Sequence, residues 1–168
     1  VVVPIQGFTQ GIQPIISYNF GARKFDRVKK TYRLTISFTF AVATLFCLLT
    51  VSFPGIFAGI FTSDPELLAL VKKVMPIFMA GIAVFGIQMG CQTTFMGLGQ
   101  AKISLLIALL RKVILLIPLA LILPKFFGVM GIYYAEPISD ITAATTAFFI
   151  FLKVRKKIVS DEALSRLS

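Results

Sequence analysis

Residues 34–53, LTISFTFAVATLFCLLTVSF, contain no charged side chain, over a length close to the roughly 20 residues a helix needs to cross a bilayer. Just upstream, residues 21–33, GARKFDRVKKTYR, hold six Lys/Arg against one acid. An apolar stretch of spanning length with a cationic collar is the pattern of a membrane span leaving the bilayer. The whole chain agrees: 57% of residues are hydrophobic and 14% charged, where a soluble domain has about a quarter charged, and the mean hydropathy is +0.91.

Outward from that stretch, about five spans are expected, at residues 1–20, 31–53, 66–96, 103–123 and 129–152, followed by a polar tail over 159–168. The first carries Pro4 and Pro14, and Gly7 and Gly11 are read as points of close helix contact. It starts at Val1 without an initiator Met or a signal-peptide pattern, so truncation upstream is expected. Pro54-Gly55 ends the second span, and residues 57–61 are too short to cross. Ser63 is the expected N-cap of the third helix, with Glu66 three residues on. Two glycines turn the chain at residues 97–102, and the fourth span, interrupted by Arg111-Lys112, is expected to stop at Pro124-Lys125.

With +10 formal charge, nucleic acid would be a possible partner if the cations were scattered. They are not. Alternating spans puts eleven Lys/Arg (six within 23–33, Lys102, and four within 153–157) on one face and three (Lys72, Lys73, Lys125) on the other. The positive-inside rule places the rich face, with the C-terminus, in the cytoplasm. The cations are thereby accounted for without nucleic acid, and the partner implied is the lipid bilayer of a cell membrane.

Two cysteines, Cys47 and Cys91, lie within apolar runs and there is no histidine. Neither a disulfide framework, a Cys/His metal site nor a histidine-based nucleophilic triad has the residues it needs, so the chain is read as no enzyme, with no cofactor and no metal.

Ionisable residues inside spans ask for a reason, because an unpaired charge in hydrocarbon is expensive. Arg111 and Lys112 sit near the middle of the fourth span, and Glu136 and Asp140 share a face of the fifth at i and i+4. Antiparallel neighbours bring Arg111 and Asp140 to one depth, either as a static ion pair or as a site where Asp140 or Glu136 exchanges a proton or sodium ion. Lys112 is expected to point elsewhere. Gln6, Gln10 and Gln13 make one amide stripe and Gln88 with Gln92 another, either bonding helices together or lining a wet cavity. With Met75, Met79, Met89 and Met96 near them, such a cavity would suit adaptable binding of flat organic cations. Pro14, Pro76, Pro118 and Pro137 are hinge or kink candidates.

The segment 10–22, QGIQPIISYNFGA, followed by FDRVK at 25–29, resembles the second half of MATE (multidrug and toxic compound extrusion) exporters. So do QTTFMGLGQAK at 92–102, Arg111 with IPL at 117–119, and AEPISD at 135–140, over roughly residues 1–158 and closest to the MepA-like branch. The resemblance implies an all-α integral membrane protein, its spans forming most of the C-terminal lobe of a twelve-helix transporter. It further implies export of organic cations against H+ or Na+ entry, and an N-terminal lobe of the same polypeptide as partner. Some relatives carry an acidic cation site in the tenth helix, matching the third span. No acid lies between residues 74 and 101, which leaves coupling to the other lobe or to Asp140 and Glu136.

Two rival readings remain open. A lipid-linked saccharide flippase of the same superfamily would need several cavity cations, and only Arg111 and Lys112 qualify. A non-transporting scaffold subunit would survive neutralisation of Asp140, whereas a transporter would not.

Overall fold

In hydrocarbon a helix satisfies every backbone N–H and C=O within its own segment, so the apolar runs have little choice of structure. The computed structural model describes residues 2–60, 62 and 64–165, with side chains as far as residue 156. Within these residues seven α-helices follow one another: α1 (Val2–Gly21), α2 (Phe25–Ser52), α3 (Pro54–Gly59), α4 (Pro65–Gly97), α5 (Ala101–Leu109), α6 (Ile117–Phe127) and α7 (Val129–Ser165). A π-helical segment, Leu110–Leu116, joins α5 to α6 without a break. There is no strand among the described residues.

Among the described residues, four helical runs are long and apolar enough to cross a membrane: Phe25–Ser52, Pro65–Gly97, Ala101–Phe127 and Val129–Lys156. The sequence pattern gives five; α1 falls outside the set, its polar Gln6, Gln10, Gln13 and Asn19 diluting the apolar residues. Helices also extend beyond their apolar windows. Lys and Arg are good helix formers, so α2 begins at Phe25 inside the basic collar and α7 continues through the basic cluster to Ser165.

Three local expectations change. Ser63 and Phe61 lie outside the described residues; the cap of α4 is Asp64, whose Oδ1 accepts from the Glu66 amide at 2.9 Å. Pro124 does not stop the fourth span. It sits in the last turn of α6, and the helix ends at Gly128, whose φ of 60° is a conformation that favours glycine. Gly7 and Gly11 face open space: a Cβ added to either would meet nothing within 4 Å. The glycines that bring helices together are on α4, joined by Gly131 of α7, where a Cβ would lie 2.5 Å from the Leu123 carbonyl oxygen of α6.

On α4 the sequence reads Gly86-Ile-Gln-Met-Gly90, a G-x-x-x-G pattern that lets backbones approach. A Cβ at Gly86 would lie 2.5 Å from the Thr39 carbonyl oxygen, and one at Gly90 would lie 2.9 Å from Ile36 Cα, both on α2. The facing hydroxyls turn inward onto their own helix, Thr39 Oγ1 donating to the Thr35 carbonyl and Thr94 Oγ1 to that of Gly90. On α7, Ala135, Ser139, Ala143 and Ala147 repeat every four residues and are all buried, a small-residue ladder turned into the bundle. The core closes at one end of the bundle, where Phe25, Val28 and Tyr32 of α2 meet Phe95 and Leu98 near the end of α4 and Phe151 and Val154 of α7. Tyr32 and Phe151 meet edge to face at 5.1 Å.

Candidate functional site

Three elements converge on one charged cluster. From α4 come Gly81 and Phe85, from the π segment Arg111 and Lys112, and from α7 Glu136, Ser139 and Asp140. Arg111 Nε donates to Asp140 Oδ1, and Arg111 Nη2 lies 3.2 Å from Glu136 Oε1. The guanidinium also rests over the Phe85 ring, 4.5 Å from its centroid, within cation–π range. Asp140 is 2% exposed, so its stability in the charged form depends on this partner. Gly81 makes the burial possible: a Cβ there would stand 2.9 Å from Pro137 Cα and 3.2 Å from Asp140 Oδ2.

Ser139 Oγ donates to the Arg111 carbonyl at 2.7 Å. The bond ties α7 to the backbone of the π segment at the residue that carries the guanidinium. Lys112 does not point elsewhere, as its position one residue on had suggested; its Nζ is 3.5 Å from Glu136 Oε1. Ideal α geometry separates successive residues by about 100°, and the wider π turn brings both cations toward α7. Two cations thus balance two carboxylates, graded from buried Asp140 to Lys112, whose side chain is 55% exposed.

A second feature lies toward the basic end. Gln6, Gln10 and Gln13 of α1 face Met89, Gln92 and Met96 of α4 across a cavity of about 400 Å³, with Thr9, Thr93 and Ser104 completing the wall. Gln92 Nε2 donates to the Ser104 carbonyl at 3.2 Å. Gln88 does not line it: four residues before Gln92, the side chain is 1% exposed between helices, and its Oε1 has no hydrogen-bond partner among the described residues. Met75 and Met79 line a separate apolar cavity of about 260 Å³ with Leu67, Leu70, Phe78 and Tyr133. Helices α1, α4 and α7 run through Pro14, Pro76 and Pro137, and Pro118 follows directly on the π segment. Cys91 is buried and Cys47 Sγ donates to the Met79 carbonyl.

Spacing alone brings out Arg111, Glu136 and Asp140. Phe85, Gly81 and Ser139 escape it because no pattern marks them.

Against known proteins, the family model for MatE matches residues 1–122 of the chain. The chain belongs to the MatE family. Within that family it is similar to the multidrug export protein MepA of Staphylococcus haemolyticus, 26% identical over 160 residues, which covers 95% of this chain and 35% of the relative. MepA of Staphylococcus aureus strain N315 is 27% identical over 158 residues, 94% of this chain and 34% of the relative. Among solved structures, the bent form of the Vibrio cholerae MATE transporter VcmN superposes with a TM-score of 0.81 at 21% identity, over 92% of this chain and 35% of that one. The MATE multidrug transporter DinF-BH, solved in complex with a ligand, gives 0.85 at 31% identity, over 90% of this chain and 34% of that one. The MatE chain therefore spans about a third of the length of the relatives it matches. These relatives are membrane transporters, not enzymes.

Proposed function

We propose that this chain is most of the C-terminal lobe of a secondary active multidrug exporter, which trades H+ or Na+ for organic cations. The observation that carries the reading is the balanced cluster of Arg111, Lys112, Glu136 and Asp140 set between spanning helices. A buried carboxylate with one guanidinium partner and a second, more exposed carboxylate beside it can take up a cation and release the arginine to its neighbour. Arg111 already reaches both carboxylates, so the exchange needs little movement. The amide- and methionine-lined cavity supplies adaptable, uncharged contacts for a flat organic cation, and the names of the relatives support export of drugs. Three basic segments meet at one end of the bundle; this end faces the cytoplasm. The N-terminal lobe of the same polypeptide completes the translocation path.

The test is efflux of a fluorescent organic cation from cells producing the full-length transporter, wild type beside Asp140→Asn at equal expression, with and without a protonophore. Loss of most of the gradient-driven efflux is expected in the variant. Efflux unaffected by the substitution would reduce the cluster to a structural ion pair.

A further inference from the structure

We infer that the outer face of α2 is a docking strip for an anionic phospholipid, its headgroup held by Arg27 and Lys30. Both cations are exposed, and Leu34, Phe38, Leu45 and Leu48 follow them at helical spacing, 60%, 46%, 56% and 60% exposed. Steps of three, four, four, seven and three residues keep all six on one side of the helix. Between the larger apolar residues lie the small side chains of Ser37 and Ala41, also exposed, which leave a shallow path down the helix. Phe8 of α1 borders it, its ring 4.1 Å from that of Phe38.

The strip has the shape and polarity of a lipid. From Lys30, one leaflet's depth of about 15 Å corresponds to about ten residues of helix, which ends near Ala41, so Leu34 and Phe38 lie along the acyl chains and Leu45 and Leu48 continue the apolar face beyond them. Charge sits at one end of that length and apolar surface along the rest. A zwitterionic headgroup offers its phosphate together with a competing cation, whereas an anionic one offers the phosphate alone. Arg27 and Lys30, a single turn apart, therefore select the anionic headgroup. The opposite end of α2 has no such pair: it closes with Thr50, Val51, Ser52 and Phe53. The preference is thus confined to the leaflet at the basic end. On the function proposed above, the N-terminal lobe is the competing occupant, and it would exclude lipid from the intact transporter.

The experiment is native mass spectrometry of the full-length transporter in mild detergent. Phosphatidylglycerol and phosphatidylcholine with identical acyl chains are titrated onto wild type, Arg27→Gln/Lys30→Gln, and Lys72→Gln/Lys73→Gln at the opposite end. Wild type should retain the glycerol lipid about tenfold more strongly, the order expected of two cations at a headgroup. The Arg27/Lys30 variant should bind the two lipids alike and the Lys72/Lys73 variant should match wild type, while soluble glycerol phosphate should not displace the lipid. Equal retention of both lipids by wild type overturns the inference, as does an unchanged Arg27/Lys30 variant. So does an equal loss in the Lys72/Lys73 variant, or displacement by glycerol phosphate.

Discussion

At the scale of single residues, the pairing of Arg111 with Asp140 follows from counting 1.5 Å per residue along antiparallel helices, and the structure places the two in contact. What counting cannot supply is the third side of the contact. Phe85 and Gly81 reach the cluster only because α4 lies against α7 at that depth, a consequence of packing between helices rather than of spacing within one. The buried setting makes the pair's energetics asymmetric. Arg111→Met leaves Asp140 without its main partner, and the full-length protein should lose about 3–5 kcal/mol, as when one member of a buried ion pair is removed. Adding Asp140→Leu should restore most of that stability, because no charge is then left stranded. Thermal melts of the purified variants separate the outcomes, and a double variant that is stable yet inactive in efflux would divide the pair's structural role from its transport role. A double variant as unstable as the single one would show that Asp140 is not the residue left stranded.

At the scale of elements, the position of the helices is readable from apolar runs and basic collars, but their internal geometry is not. Arg111-Lys112 marks an interruption of the fourth span, and the structure gives it a form, a π segment over Leu110–Leu116 ending just before Pro118. Proline has no amide hydrogen, so a carbonyl one turn earlier has no α-helical donor. Widening to π geometry redistributes the bonds, and Ser139 adds one to the Arg111 carbonyl. No sequence period encodes this, because it depends on a hydroxyl from another helix. Pro118→Ala supplies the missing donor and should draw the segment toward α geometry. Amide hydrogen exchange over residues 110–116 should slow about tenfold, the effect of about 1.4 kcal/mol of added local stability. Gradient-driven efflux should fall in the same variant as Arg111 turns away from α7. Slower exchange with wild-type efflux would make the π segment a packing feature.

At the scale of the whole molecule, hydropathy locates the spans and charge sorts their ends, while the close packing of α2 on α4 rests on the G-x-x-x-G pattern at residues 86–90 and not on the one at residues 7–11. Glycine in a span marks close approach only if another helix lies opposite it, and the sequence does not say which do. Charge is a better guide at this scale because it acts over a whole loop. The residue sets that begin α2, begin α5 and end α7 gather at one end through Phe25, Leu98 and Val154, whereas Lys72 lies on α4 and Lys125 on α6, which pack against the start of α7 at the other end, α4 beside Tyr133 and α6 beside Gly131. If the basic end faces the cytoplasm, a cysteine placed there is shielded from outside. In a full-length transporter stripped of native cysteines, Lys125→Cys should therefore react with a membrane-impermeant maleimide added to intact cells, while Lys102→Cys should react only after the membrane is opened. The reverse pattern would turn the molecule over, and with it the direction assigned to transport; labelling of both in intact cells would mean that Lys102 is reached from outside and would remove the shielding on which the orientation rests.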